Sequence, residues 1–476
     1  MQPVDPALVR AERTPGLAPS RLLLDLAVDE ERDVELTDGR RVAIQLRGIE
    51  DRRDSVHGAL TDSRVRLLIN DEHEDWLTCG NYQMPKRIGP ARFDCLATAS
   101  YVADTERNAW ALERQALIRM WPAEGPLLPG GIRYPLTGDW LHSQSQIACE
   151  PTYVNDWLRA NRIQYQPHMD IGGSEGEPVV AASDGLILAA GGARHPQAEG
   201  LAAEQRDDVV ILLDRRGWIQ KYAHLGSLHE HLRPGSRIFA GDPIGRLGKA
   251  GPSGGWSHLH FEARAPRPNG AWGHEDLYCY LLEDWAARHE YELIACARPH
   301  RRVKVGETLV LSGANTWASD GADLDFWWVL PDGTPVNGRE VTWTPDRAGT
   351  MTATMRVEDG RGSTDADTCI IQVHEPDAAT LTLHAALHPS AGVAVGEEIE
   401  VRVRSFHNPD QSGEVIDFGD ASDPVRVYSD GNVTPDGDGY AVARHHYDLP
   451  GIYQVRVSCE RPNGQQAQVR LVAKVG

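Results

Sequence analysis

The stretch Trp256-Ser-His-Leu-His-Phe-Glu262 decides how the middle of this chain is built. Its polar and apolar residues alternate, which is the period-two pattern of a half-buried β-strand. Because residues two apart on a strand project from the same face, His258 and His260 are predicted to lie side by side on the polar face. Two neighbouring imidazoles can supply a zinc ligand and a proton-transfer group. The pattern also fits a polar strand face whose two histidines carry no chemistry.

Short predicted strands separated by glycine turns surround this stretch. They are Gly176–Ala182, Asp184–Leu188, Val209–Leu213 and Trp218–Leu225. Glycine-rich turns follow them at Gly241–Gly245 and Gly251–Gly255. No helical period of any length is visible here, so we predict an antiparallel sheet or open barrel for a central unit that spans residues 151–294.

Three further residues with metal-binding or proton-transfer chemistry fall on predicted strands or strand ends, namely His168, Asp170 and His224. Together with His258 and His260 they form a set of nitrogen and oxygen donors. Such a set suits Zn²⁺, which takes about four ligands and keeps one position open when it is catalytic. A lone imidazole on a solvated strand edge is common, but five such residues on one sheet favour a shared site. Four other histidines lie in predicted polar loops or turns and are interpreted as surface residues: His195, His229, His231 and His274.

The central unit carries a series of short motifs between Ile163 and Ala265. They are Asp170-Ile with Gly176-x-Pro-Val179, Ala182-x-Asp-Gly185, Tyr222-Ala-His-Leu225, Gly241-x-x-Ile-Gly245-x-x-Gly248 and His258-Leu-His-Phe-Glu262. In combination these motifs resemble the lysostaphin- and LytM-type zinc endopeptidases. The resemblance implies that Asp170 and His260 bind the zinc ion and that His224 and His258 are the catalytic histidines.

One position departs from the pattern of that family. Its first metal ligand is a histidine four residues before the aspartate, and this chain has Gln166 there. His168 lies two residues before Asp170, and strand parity keeps it on the same face, so it could reach the ion after a local bulge. His168 is therefore the predicted third metal ligand. The alternative is a weakened or lost site, since a neutral amide is a poor zinc ligand beside imidazole.

The resemblance implies a zinc-dependent endopeptidase that cuts peptide bonds, most plausibly in bacterial cell-wall peptidoglycan. In such a site the ion lowers the pKa of its bound water toward ~7, and His224 or His258 takes the proton. The rival hypothesis is a catalytically inactive copy of the fold that binds a peptide or peptidoglycan, or that activates a partner hydrolase. Gln166 favours the rival, whereas the four matching residues favour the enzyme.

The flanks of the central unit are also predicted to be β-structure, which makes the chain an all-β, multidomain protein. Residues 1–150 form a β-rich module without a catalytic constellation. Residues 295–375 and 380–476 share an order of aspartate-marked turn, aromatic strand and final glycine-led strand. Both resemble polycystic-kidney-disease (PKD)-type immunoglobulin-like domains, which usually act as spacers or adhesion elements. Glu375–Ala379 is the predicted linker between them.

Composition narrows the classes of partner. The chain has 476 residues, of which 41% are hydrophobic, so several cores can be buried. Its net charge is −21 and no basic stripe is present, which argues against nucleic acid. No apolar run approaches the about 18 residues of a membrane span.

Targeting and redox signals are sparse. No signal-peptide pattern is visible at the N-terminus, although the family resemblance implies an extracellular or cell-envelope location. The seven cysteines are scattered singly, so zinc-ribbon and thioredoxin-type motifs are excluded. Cys79 and Cys95 are a candidate disulfide in an oxidising compartment.

Overall fold

The computed structural model describes residues 3–80, 82–105, 108–137, 140–141, 145–147, 149–153, 163–204, 206–289, 292–319, 323–375, 380–389, 392–431 and 439–476. Within these ranges most regular structure is antiparallel β-strand, which confirms the all-β, multidomain prediction. Of the predicted linker Glu375–Ala379, only Glu375 lies inside the described residues. None of the helices described is both long enough and apolar enough to cross a membrane.

Two four-stranded antiparallel sheets form the N-terminal part, in the orders β1-β8-β7-β6 and β2-β3-β4-β5. Their elements are α1 (Pro6–Glu12), β1 (Leu22–Leu26), β2 (Glu31–Glu35), β3 (Arg41–Arg53), β4 (Leu60–Ile69), β5 (His73–Thr78), β6 (Lys86–Ile88), β7 (Ala91–Thr98), α2 (Ala99–Thr105) and β8 (Ala116–Pro122). Alternate residues of these strands, such as Val65, Leu67 and Ile69, fill one apolar core between the sheets. This core also takes in Tyr165 of the central unit, so the N-terminal part packs directly against the start of that unit.

The central unit is built on an eight-stranded sheet that contains the path β11-β20-β16-β15-β13-β14, with β21 on β20 and β18 on β13. A smaller sheet, β12-β19-β17, packs beside it. The elements are β9 (Pro151–Tyr153), β10 (Ile163–Tyr165), β11 (Met169–Gly172), β12 (Pro178–Val180), β13 (Gly185–Ala190), β14 (Ala193–Arg194), a 3-10 helix (Glu199–Glu204), β15 (Val210–Asp214), β16 (Ile219–Ala223), β17 (Leu225–Leu228), β18 (Arg237–Ile238), β19 (Pro243–Leu247), β20 (His258–Pro266), β21 (Trp272–Glu275) and α3 (Tyr278–His289). Strand β20 is the centre of the arrangement because it pairs with β11 on one side and β16 on the other.

The helix α3 corrects the expectation that the central unit has no helical segment. Its residues Tyr278 to Leu282 are consecutive and all buried, and Trp285 and Ala286 are buried as well. A helix that is buried on most sides shows no clear apolar stripe, and its period is hard to see in sequence. The helix packs into the core of the central unit together with Leu259 and Phe261 of β20.

Two β-sandwiches complete the chain. The first pairs the sheets β23-β30-β29-β26-β27 and β24-β28, and the second pairs β31-β32-β35 with β34-β33-β36-β37. Their strands are β22 (Leu293–Ile294), β23 (Arg301–Lys304), β24 (Leu309–Ser312), β25 (Trp317–Ala318), β26 (Leu324–Val329), β27 (Pro335–Asn337), β28 (Glu340–Trp343), β29 (Gly349–Asp359), β30 (Thr364–His374), β31 (Thr382–His388), β32 (Glu398–Phe406), β33 (Glu414–Asp417), β34 (Val425–Val427), β35 (Ala441–His446), β36 (Gly451–Glu460) and β37 (Gln466–Val475). Ile294 and Cys296, at the predicted boundary between the central unit and the first sandwich, pack in the core of the central unit. The domain boundaries at 150, 294 and 375 stay predictions.

Candidate metal centre

The site starts from the register between β11 and β20. Asp170 lies directly opposite His260, and Gly172 lies opposite His258. Residues that face each other across antiparallel strands have Cβ atoms about 4.5–5.5 Å apart, so their side chains meet. His260 Nδ1 accordingly lies 3.3 Å from Asp170 Oδ1. Because Gly172 has no side chain, the ring of His258 has room beside this pair.

The Oδ1 atom of Asp170 is surrounded by imidazole nitrogens. His260 Nδ1, His168 Nε2 and His258 Nε2 lie 3.3, 3.6 and 3.9 Å from it. The atom is buried, and among the described residues none makes a hydrogen bond to it. Burial alone would raise the pKa of Asp170, but the surrounding imidazoles hold it well below its ordinary value. An ionised, buried oxygen ringed by nitrogen donors fits a bound cation.

His168 joins Asp170 and His260 in this group. It lies in a bend immediately before β11, and its ring centroid is 3.9 Å from that of His260. One ligand atom from each of the three residues lies within 4.8 Å of the others. Burial and the neighbouring His260 lower the pKa of His168 well below its ordinary value, which keeps the imidazole neutral, as a metal ligand requires.

Gln166 contacts the other oxygen of the same carboxylate. Its Nε2 donates to Asp170 Oδ2 at 2.8 Å and to Gln146 Oε1 at 3.3 Å. The neighbouring chain segment holds Gln166 in place, because its backbone N–H donates to the carbonyl of Glu150. The amide therefore orients Asp170 and leaves Oδ1 directed at the three imidazoles.

His224 is held in one tautomer by the backbone around it. The residue follows β16 with a φ of 68°, and its N–H donates to Asp208 Oδ2 at 3.0 Å. Its Nδ1 lies 2.7 Å from the carbonyl oxygen of Ala250. Since a carbonyl only accepts, Nδ1 carries the proton and Nε2 keeps its lone pair. Burial, together with the nearby His258, lowers the pKa of His224 to about 3.

His258 has the same tautomer. Its Nδ1 lies 3.2 Å from the carbonyl oxygen of Trp256, so Nε2 is the basic nitrogen and points toward Asp170. Burial lowers the pKa of His258 as well. The rings of His258 and His224 are 4.7 Å apart. The structure thus brings all five predicted site residues together, with two neutral imidazoles beside the candidate metal position.

Glu262 and His274, which are not among the predicted site residues, lie on the other side of His260. Glu262 Oε2 lies 3.5 Å from His260 Nε2, and Glu262 Oε1 is 2.8 Å from Arg264 Nη2. His274 Nδ1 lies 3.7 Å from the same Glu262 Oε2. Burial would raise the pKa of Glu262, but His260 and the other nearby cations hold it well below its ordinary value. An ionised carboxylate behind a ligand imidazole fixes the ring so that Nδ1 faces the metal position.

The interpretation of His274 as a surface residue was wrong. It lies in β21 opposite Arg264 of β20 and is 5% exposed. The turn between the two strands folds Trp272–Glu275 back onto β20. The Pro268-Asn-Gly270 turn followed by a short alternating stretch is a hairpin signal that could have placed His274 near the site. His168, Glu262 and His274 also lie within ligand distance of one another. Because Glu262 already faces His260 and Arg264, we interpret this group as support for His260.

Family comparisons agree with this architecture. Residues 164–271 match the model of peptidase family M23, and residues 293–373 match the model of the PKD domain. These matches support a metallopeptidase domain followed by a PKD domain. The likeness of the second sandwich, residues 380–476, to PKD-type domains stays a prediction.

Several solved structures are similar to parts of the chain. Csd3 of Helicobacter pylori is 14% identical over 51% of this chain and 82% of its own, with a TM-score of 0.21. A zinc-containing peptidase from Vibrio cholerae is 15% identical over 45% of this chain and 81% of its own, with a TM-score of 0.21. The PKD1 domain of Vibrio anguillarum Epp is 21% identical over 18% of this chain and 98% of its own, with a TM-score of 0.15. With TM-scores this low, these likenesses carry no further conclusion.

Proposed function

We propose that this chain is a zinc-dependent endopeptidase that hydrolyses peptide bonds in bacterial cell-wall peptides. The observation that carries the proposal is the buried Asp170 Oδ1 with three imidazole nitrogens within 3.9 Å of it. His168, Asp170 and His260 would hold the ion, and the match of residues 164–271 to peptidase family M23 supports the reaction class. A zinc ion held by such a set supplies a water of lowered pKa and polarises a carbonyl group.

The remaining site residues would move protons and bind the substrate carbonyl. His224 and His258 are neutral, and each has its Nδ1 proton directed at a backbone carbonyl. One Nε2 would accept a proton during attack, and the other would hydrogen-bond the developing oxyanion or return a proton to the leaving amine. Gln166 and Glu262 would hold Asp170 and His260 in orientation during these steps.

The substrate and the location follow from the same proposal. A peptide or a peptidoglycan strand is the proposed partner, and the cell envelope or the extracellular space is the proposed location. The two C-terminal sandwiches would act as spacers or adhesion elements in that setting.

A second candidate function is a catalytically inactive module that binds peptide or peptidoglycan, or that activates a partner hydrolase. The presence of Gln166 at the position of a histidine ligand favours it. A glutamine has no imidazole to offer the site, and the Gln166 Nε2 donates a hydrogen bond to Asp170 Oδ2.

Metal analysis combined with a cleavage assay separates the two candidates. The purified full-length chain should contain about one zinc ion per molecule and should release soluble peptides from purified peptidoglycan. Chelation should stop the release, and added zinc should restore it. A chain that takes up no zinc on reconstitution would overturn the proposal, and a zinc-loaded chain that binds peptidoglycan without cleaving it would establish the inactive module.

A further inference from the structure

The outer face of the sheet β31-β32-β35 in the second sandwich is buried where β31 pairs with β32, whereas the outward residues of β35 are exposed. Leu383, Leu387 and Val401 point into the core of that sandwich. Residues at alternate positions point the other way, where a sandwich usually faces solvent. Two of them, Ala386 and Arg402, are nevertheless only 0% and 7% exposed. Another part of the chain therefore covers the β31–β32 part of this face.

An ion pair links this face to the peptidase unit. Arg402 Nη2 lies 3.0 Å from the Oε2 atom of Glu175, which belongs to the loop between β11 and β12. Lys249 Nζ lies 3.5 Å from the same oxygen and belongs to the loop that precedes β20. Glu175 therefore connects the second sandwich with two loops that border the candidate metal centre.

A row of aromatic rings makes the second connection. Trp256 stacks on His258 with ring centroids 4.1 Å apart and an angle of 22° between the rings. His384 of β31 packs edge-on against Trp256 with a centroid distance of 5.6 Å. The hydroxyl of Tyr440 lies 2.9 Å from His384 Nδ1 and fixes that ring in turn. Only the ring of Trp256 thus lies between His384 of the second sandwich and the proposed catalytic residue His258.

The histidines on this side of the site are the least accessible. The side chains of His258 and His224 are 5% and 6% exposed, whereas those of His168 and His260 are 15% and 16% exposed. Reacting atoms have to approach within about 3–3.5 Å of each other before a bond forms. A cell-wall polymer therefore needs more access on the His224–His258 side than this arrangement provides.

We propose that the second sandwich, residues 380–476, is a reversible cover over the His224–His258 side of the site. It is held closed through His384 on Trp256 and Arg402 on Glu175, and it moves away when a polymeric substrate binds. The need for opening rests on the proposed function, whereas the closed contact stands on the geometry alone.

Charge reversal in the full-length protein tests the cover. Glu175→Arg and Arg402→Glu each place like charges at the contact, and the double variant places opposite charges there again. Arg444→Glu is the matched control for Arg402→Glu, because both arginines pair with Glu400 on the same sheet and only Arg402 also reaches Glu175. The control makes the same change of charge as Arg402→Glu without touching the peptidase unit in any contact that the structure shows.

Two measurements are made on each variant. The first is the rate at which diethyl pyrocarbonate modifies His384 and His258, followed by mass spectrometry, and it needs no catalytic activity. The second is the release of peptides from purified peptidoglycan. Both single variants should raise the modification rate by about two- to five-fold, which is the range expected from losing one partly exposed ion pair. Both should speed peptide release, and the double variant should return toward the parent protein.

The two readouts separate the failure of the cover from the failure of the proposed function. Unchanged modification of His384 and His258 in both single variants would overturn the cover, as would an equal increase in Arg444→Glu. Faster modification with active but unaccelerated peptide release would overturn its role in access. Faster modification in variants that all lack hydrolysis would support the cover and reject the endopeptidase.

Discussion

His260 lies between two carboxylates, with Nδ1 3.3 Å from Asp170 Oδ1 and Nε2 3.5 Å from Glu262 Oε2. Burial acts to lower the pKa of His260, but the carboxylates on its two sides raise it to about 9. A zinc ion that binds Nδ1 has to displace a proton, since a metal ligand must be deprotonated. The relation between Asp170 and His260 is thus both a cross-strand contact and the core of the proposed metal site.

The first prediction separates metal ligands from proton-transfer groups. His260→Ala should remove both bound zinc and hydrolysis, because it deletes the imidazole opposite Asp170. His224→Ala and His258→Ala should keep the zinc and lower turnover by about 10²–10⁴-fold, the usual contribution of acid–base catalysis. Zinc content and cleavage of peptidoglycan, measured on the same preparations, check both parts.

His258 is the critical member of this series, because its Nε2 also lies 3.9 Å from Asp170 Oδ1. Loss of zinc in His258→Ala would make it a metal ligand and would refute the proposed division of roles. Circular dichroism of each variant controls for loss of the fold.

The second prediction concerns the ligand that departs from the family pattern. His168→Ala should weaken zinc binding strongly, because it leaves one carboxylate and one imidazole to hold the ion. Gln166→His should change the affinity little, since the Gln166 amide contacts Asp170 Oδ2 and the ligand set faces Oδ1. Zinc titration of both variants beside the parent protein measures this. In the reverse pattern, His168→Ala would leave zinc binding unchanged and Gln166→His would create a zinc site. That result would show that the histidine ligand of the family is lost here and that His168 does not replace it.

The third prediction tests the carboxylate behind His260. Glu262→Gln should lower zinc affinity by about 10–100-fold, as is usual when a partner of a ligand histidine is removed. The neutral amide no longer favours a proton on His260 Nε2, so the orientation of the ring is less well held. Glu230→Gln is a control at an exposed residue of the same unit. Equal zinc affinities of the two variants would mean that Glu262 has no part in holding the ligand.

The fourth prediction is a dependence of stability on pH. Burial raises the pKa of Glu150 from 4.5 to about 6, although Ile147 and Tyr82 donate hydrogen bonds to it. The folded state therefore keeps a proton that the unfolded state loses, and stability falls as pH rises from about 4.5 through about 6. Above this window the free energy of unfolding is lower by about 2 kcal/mol because of Glu150.

Glu150→Gln removes this titration and keeps an oxygen that can accept both hydrogen bonds. Urea unfolding should show the variant to be more stable than the parent protein at pH 8, with the difference disappearing near pH 4. Glu124→Gln, at a side chain that is 76% exposed, is the matched control. A difference for Glu150→Gln that stays constant across this range would contradict the prediction.

Local patterns in the sequence were enough for the strands that carry the site. Alternation in the stretch from Trp256 to Glu262 predicted β20 with its two histidines, because a strand of period two places residues i and i+2 on one face wherever it lies. Strand candidates between glycine turns likewise included Trp218–Leu225, which contains β16, one of the two neighbours of β20. The same rules missed α3, whose consecutive buried residues show no clear helical stripe.

The sequence by itself determined the all-β class and the short list of residues that could serve a zinc site. Only the tertiary structure decided their arrangement: the register that sets Asp170 against His260, the turn that buries His274, and the contact between Gln166 and Asp170 Oδ2. It also decided that His384 packs against Trp256, although 128 positions separate them in the chain. The physical reason is that periodicity reports which face a side chain takes on its own element. Distances between elements depend on strand register and domain packing, which no local pattern encodes.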